Sequence, residues 1–183
     1  MRKSVLVLVL LALSVPVVAA TLAGVTMPDT MTVGNQTLVL NGMGIRTKLF
    51  LKVYVAGLYL EKKSSDASAI VQSDSTRRIV MQFTRTVDGT EMGEAFADGL
   101  KANAPDKAAT LKAQIDQFRN ALETLKSGEQ LAVTYIPGTG TIVSVRGKDK
   151  TTIPGVPFGQ LIFAMWLGPK PPNADLKTGL LGK

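Results

Sequence analysis

The chain contains neither cysteine nor histidine. Without cysteine there is no disulfide, no thiol nucleophile and no cysteine to carry a lipid. Without histidine the usual base near neutral pH and the commonest metal ligand are both missing. A zinc site and a histidine-based triad are therefore excluded. The hydroxyls of Thr84, Thr86 and Ser144 have no histidine to activate them, and neither Gly-x-Ser-x-Gly nor Ser-x-x-Lys occurs, which argues against a covalent hydrolase. Gly42-Met43-Gly44 lacks the third glycine of a dinucleotide loop and precedes an extended pattern rather than a helix. Glu91 and Glu94 are explained by capping and solvation, so no carboxylate pair suited to glycoside hydrolysis is evident. Basic residues are dispersed, and even Arg146 to Lys150 holds only three. Nucleic acid is not an expected partner, since no recognition motif is present.

What is present begins with MRKSVLVLVLLALSVPVVAA. Arg2 and Lys3 supply a positive start, an apolar run follows, and Val18-Ala19-Ala20 offers small residues for cleavage. These are the parts of a secretory signal peptide. The run from Val5 to Ala20 is short for a membrane span, which needs about 20 apolar residues. The expected organisation is a signal peptide over 1–20 and a single domain over 21–183. The expected location is outside the cytoplasm, most simply the periplasm. Of the 21 basic residues Arg2 and Lys3 lie in the leader, which leaves 19 against 14 acidic ones and a net charge of +5. A solvated surface accounts for that charge; weak attraction to anionic lipid, and so peripheral membrane contact, is the functional alternative.

Along the remaining chain, Thr30 to Leu40 reads as a hairpin around Gly34-Asn35. Asn41 to Gly44 interrupts the pattern. Lys48 to Leu60 is the longest strand candidate, apolar on both parities and hence central, with Gly57 marking a bulge or close approach. A short helix is expected over Asp66–Gln72 and a strand over Arg77–Val87. Asp88-Gly-Thr-Glu91 is a capping box opening a helix to about Ala102. Met92, Phe96 and Leu100 form its apolar stripe, with Ala95 and Gly99 beside them to allow close packing on a sheet. Pro105-Asp106 starts a second helix through Leu111, Ile115, Phe118, Leu122 and Leu125. A hairpin over Gln130–Tyr135 and Thr141–Val145, a short helix over Phe158–Trp166 and another over Ala174–Leu181 complete the order. The expected class is α+β, helices on a mostly antiparallel sheet.

Arg46 is the leading candidate side chain. A guanidinium directed into apolar space needs an anion or several acceptors, and its rigid fork of donors suits a carboxylate or phenolate. The bland alternative is a strand-edge arginine with its head in water. Lys52 and Tyr54 share a parity with Arg46 if alternation holds through Thr47, although Lys52 can equally extend its amine to the surface and Tyr54 can be core. Met92, Phe96, Met165 and Trp166 are either ordinary core or the wall of an apolar cleft, methionine being adaptable to varied ligands.

Gly42-Met-Gly44-Ile-Arg46, then Phe50-Leu-Lys52-Val-Tyr54-Val-Ala-Gly57-Leu-Tyr59-Leu60, resembles the chalcone isomerase-like family, and in particular its exported bacterial branch. Trp166-Leu-Gly168, Ala174-Asp-Leu-Lys177 and Leu180-Leu-Gly182 extend the resemblance from about Gly24 to Lys183. It implies an open-faced β-sandwich, a large antiparallel sheet with a helical layer on one face and a ligand cleft between them. It further implies that Arg46 matches the arginine that holds a phenolate in the plant enzymes and a carboxylate in fatty-acid-binding members. Other polar groups of the plant enzymes are missing. The strand threonine is Tyr54 here, the tyrosine–asparagine pair of the first long helix is Glu91 or Met92 with Asp98 or Gly99, and the later threonine is Met165. Those groups orient and stabilise a ketone as charge develops on it. Their loss points to noncatalytic, cofactor-free binding of a small apolar or fatty-acid-like anion. Arg46 would be at the head, and Phe50, Lys52, Tyr54, Met92, Phe96, Met165 and Trp166 would be around it. The alternatives are a cofactor-free isomerase of a chalcone-like enone that uses Arg46, or an interaction protein whose cleft has collapsed into core.

Overall fold

This computed structural model describes residues 19–183. In chain order the elements are β1 (Ala19–Leu22), β2 (Val25–Pro28), β3 (Thr30–Val33), β4 (Gln36–Lys48), β5 (Leu51–Leu60), α1 (Ala67–Gln72), β6 (Arg77–Phe83), α2 (Gly89–Asn103), α3 (Pro105–Thr110), α4 (Lys112–Asn120), β7 (Gln130–Ile136), β8 (Gly140–Val145), β9 (Lys148–Ile153), α5 (Val156–Leu167) and α6 (Ala174–Leu180). Residues 1–18 of the expected targeting segment lie outside the described residues. Its last two, Ala19 and Ala20, pair in β1 with Pro28 and Met27.

Strands β3 to β9 form one seven-stranded antiparallel sheet in sequence order. Each strand therefore pairs with its neighbour in the chain, and α2 to α4 are inserted between β6 and β7. One face carries Tyr54, Ala56, Leu58, Ile79, Met81, Phe83, Leu131 and Val133 and packs against the helices. The opposite face carries Val55, Tyr59, Val80 and Ala132 and is covered by Val25 and Met27 of the β1–β2 hairpin. This is the expected open-faced sandwich. Gly57 is a close approach, since a Cβ there would lie 2.4 Å from the Met27 sulfur.

Local signals explain much of this layout. The Asp88 carboxylate accepts hydrogen bonds from the Thr90 and Glu91 amides at 2.8 and 3.2 Å, capping α2. Asp66 caps α1 through Ala69 N–H at 3.0 Å. The apolar run from Lys48 to Leu60 is not one strand. It folds back at Leu49-Phe50, both with positive φ (49° and 68°), and Lys48 faces Leu51 across a two-residue turn. Asn41 to Gly44 does not interrupt the sheet either. Asn41 is the extra residue of a bulge in β4, and the strand continues. Its side-chain amide donates to Leu180 O at 2.8 Å and Ser64 O at 3.0 Å, and its carbonyl accepts from Ser64 N–H. The expected second long helix is two, α3 and α4, broken at Leu111, whose ψ is 25°. Leu125 lies beyond both and pairs with Val87 in an isolated bridge. β6 ends at Phe83, short of Val87.

The C-terminal helix sets the glycines of β4. A Cβ at Gly42 would lie 2.1 Å from Gly179 O, and one at Gly44 would lie 2.5 Å from Leu176 O. Backbone against backbone at that range admits only glycine. Leu176 and Leu180, fully buried beneath α6, each stabilise the closure by about 1.5–3 kcal/mol relative to exposure.

Candidate functional site

Beyond Gly44 only Asn173, the N-cap of α6, reaches β4 from that helix, donating to Ile45 O at 3.1 Å and accepting from the Thr47 amide at 3.4 Å, and beside it a cleft of about 380 Å³ opens. Its sheet side is Arg46, Lys48, Val53, Tyr54 and Phe83. Its helical side is α2, through Glu91, Met92, Ala95, Phe96, Asp98, Gly99 and Ala102, with Met165 from α5 and Lys170 to Pro172 from the loop after it. Such a volume falls in the lower part of the range of about 300–1,000 Å³ for small-molecule sites. A hollow of about 430 Å³ between α1, α2, α3, α5 and α6 is comparable in size. Its two cations are Lys107 and Lys177, and the Lys177 ammonium already donates to Gly168 O at 2.8 Å. The Arg46 cleft is the better candidate because a less committed cation sits against an apolar wall.

Arg46 and Tyr54 are direct cross-strand partners, so both side chains lie on the helical face. Arg46 is half-buried and donates one hydrogen bond, from Nη1 to Thr47 O. It makes no ion pair among the described residues, so most of its five donors remain for an incoming anion. Arg77 shows the contrasting arrangement. It is fully buried, its guanidinium lies 4.4 Å from the Tyr135 ring centre and 4.8 Å from that of Phe163, and it donates to Ser73 O at 2.7 Å. Burial pulls its pKa down to about 10. Arg77 is sealed into the core, whereas Arg46 opens on the cleft.

Tyr54 forms the floor. Its hydroxyl accepts the Trp166 indole N–H at 3.1 Å, and its ring packs on Phe83 with centres 5.5 Å apart. Burial pushes its pKa up to about 12, while the Trp166 hydrogen bond and the Arg46 charge oppose that rise less strongly. The phenol is therefore neutral at physiological pH. Phe96 stacks edge-on against Trp166 at 5.6 Å and Phe118 at 5.1 Å, so the aromatic wall is fixed by packing. Ala95 and Gly99 do not bring α2 down onto the sheet as expected. They face the cleft and leave it room, with a Gly99 Cβ position 3.4 Å from Met165. Asn103 holds the far rim, donating to Gly99 O and Lys170 O and accepting from the Lys170 amide, all at 2.8–2.9 Å.

Five of the candidates from sequence, Arg46, Tyr54, Met92, Phe96 and Met165, line the cleft together. Three do not. Phe50 is 99% exposed at the tip of the β4–β5 turn. Lys52 is exposed because a bulge separates the pair Arg46–Tyr54 from the pair Thr47–Lys52, which turns Val53 inward and breaks the assumed parity. Trp166 is fully buried behind Tyr54 and acts through it. Lys48, Val53, Phe83, Val87 and Lys170 were not singled out. Each is ordinary strand or loop chemistry whose convergence depends on the turn and bulge. Both alignment choices for the missing helix pair, Glu91 with Asp98 and Met92 with Gly99, face the cleft. Neither supplies the neutral donors that would steady a developing oxyanion. The cleft and its open arginine also count against a collapsed interior.

No curated protein matches the sequence. Among solved structures, a fatty-acid binding protein from Arabidopsis thaliana superposes with a TM-score of 0.71 at 14% identity, covering 89% of this chain and 95% of that one. That likeness establishes the fold, since so low an identity carries no more. The family model described as chalcone isomerase-like matches residues 19–182, and the chain belongs to that family.

Proposed function

We propose that the protein binds a fatty-acid-like amphiphilic anion without transforming it. The observation that carries this reading is Arg46, half-buried and free of any acidic partner among the described residues, at the edge of an apolar cleft. A carboxylate meets the guanidinium fork there, with Lys48 and Lys170 on the same rim. The acyl chain lies along Met92, Phe96 and Met165. Glu91 and Asp98 repel the head group from the α2 rim and so orient it towards β4. That the structurally similar Arabidopsis thaliana protein is a fatty-acid binding protein supports this choice of cargo. The signal-like leader supports an exported, periplasmic setting and membership of the exported bacterial branch.

The test is binding of palmitate by the purified protein, with native mass spectrometry of any copurifying lipid. Arg46→Ala should weaken palmitate about tenfold to a hundredfold, the range for a lost hydrogen bond to a charged group. Equal affinity in parent and variant, or cofactor-free cyclisation of a chalcone-like enone that requires Arg46, would overturn the reading.

A further inference from the structure

The β4–β5 turn is the least protein-like part of the surface. Leu49, Phe50 and Leu51 are 82, 99 and 53% exposed, and the only other large exposed hydrophobic among the described residues is Val156 at 37%. Single exposed apolar residues are normal; three consecutive ones on a protruding turn are a patch. Its backbone sharpens the point. Two other two-residue turns have positive φ at both positions, Ala23-Gly24 and Arg146-Gly147, and both place glycine second. Leu49-Phe50 adopts the same conformation with two bulky side chains, an arrangement that turn chemistry disfavours.

The surroundings of the tip identify what it meets. Lys48 and Lys52 flank it directly. Arg85 follows Thr84, whose amide donates to Val53 O at 3.0 Å and whose hydroxyl donates to Lys52 O at 2.9 Å, so a further exposed cation stands at the same end. Lys48 also lines the cleft, together with Arg46 and Lys170. The acids at the mouth, Glu91 and Asp98, belong to α2 on the other rim. An apolar tip ringed by cations complements an anionic bilayer, where acyl chains receive the side chains and head groups receive the ammonium groups.

We propose that the Leu49–Leu51 tip docks the protein on an anionic phospholipid surface and turns the mouth of the cleft towards it. A fatty acid then enters from the bilayer rather than through water; this last step rests on the proposed ligand. The test is cosedimentation of the protein as isolated from cells with vesicles of phosphatidylglycerol and phosphatidylcholine in equal parts, and with phosphatidylcholine alone. Every variant is compared with a parent that has the same N-terminus, so any contribution of residues 1–18 cancels. Leu49→Asn/Phe50→Gly installs a favourable turn and should keep the fold while weakening vesicle binding about tenfold or more. Lys52→Gln should cost about fivefold on the anionic vesicles only. Palmitate affinity from solution should stay unchanged in both, while transfer of palmitate from vesicles slows in step with docking. Vesicle binding that ignores the double variant would overturn the proposal, as would a parent that ignores vesicles. A parent that self-associates through the tip instead of binding vesicles would assign the patch to a second copy and also overturn it. Vesicle binding without palmitate binding would leave docking standing and remove the fatty-acid reading. Palmitate binding without vesicle binding would do the reverse.

Discussion

The two ends of the β4–β5 hairpin share one ladder and are built for opposite purposes. At one end Gly42 and Gly44 lie under α6, so close that a methyl group has no space. At the other, Arg46 and Lys48 face a void. The boundary is the step from the pair Gly44–Ala56 to the pair Arg46–Tyr54. The glycines that stand out in the sequence thus serve helix packing, and the binding chemistry begins immediately past them. Closure by α6 at one end is what leaves the other end for a ligand.

That contrast can be broken most severely at the closed end. Gly44→Val should cost about 3 kcal/mol in denaturant unfolding, because the overpacking falls on the α6 backbone rather than on a yielding side chain. A cost under about 0.5 kcal/mol would mean that α6 is not seated there. The floor at the boundary is next. Tyr54 ordinarily ionises near pH 10 and is raised to about 12 in the fold. Between those values the unfolded chain releases a proton that the folded chain keeps, so stability falls as pH rises through the window, by about 2–3 kcal/mol once ionisation is complete. Arg77, lowered to about 10, acts in the opposite direction over the same alkaline range, so tyrosinate absorbance is the cleaner readout. All three tyrosines are raised, and the folded protein should show little absorbance change at pH 10, where the denatured protein is half ionised. A native transition near pH 10 that disappears in Tyr54→Phe would show water at the cleft floor.

The open end should respond more mildly. Leu49→Asn/Phe50→Gly relieves a left-handed turn and should gain about 1 kcal/mol of stability, measured by thermal unfolding. A loss would mean that the tip packs against the body of the protein. Smallest on stability is Ala95→Phe, which fills the cleft from an exposed helix position. It should change unfolding by no more than about 0.5 kcal/mol while lowering palmitate affinity at least tenfold. Unchanged affinity would place the ligand elsewhere.

Where local chemistry decides, the sequence was legible. Asp88 and Asp66 cap the helices they announce, Gly34-Asn35 turns a hairpin, and Met92, Phe96 and Leu100 are the buried stripe of α2. It was not legible where tertiary context overrides pattern. Leu49-Phe50 carries no turn residue, so the apolar run of β5 reads on through the turn to Lys48 at the end of β4. β9, Lys148–Ile153, is a polar edge strand with little alternation to read. β1 is hidden at the end of the apolar leader. For the site, Arg46 and Tyr54 were visible because cross-strand partners must share a face. Lys52 and Val53 exchanged roles because a single bulge residue reverses parity. The size of the cleft depends on how far α2 stands from the sheet, which no residue spacing encodes.

The seat of α6 on β4 also carries a consequence for assembly. The sheet can zip in order, each strand joining the one made just before it, but the glycine face of β4 stays bare until residues 174–182, well downstream of it, are in place. A late segment of the domain thus latches onto an early one. Without residues 174–182 the glycine face of β4 would lie uncovered, so the latch that bounds the cleft also ties completion of the fold to a contact between distant parts of the domain.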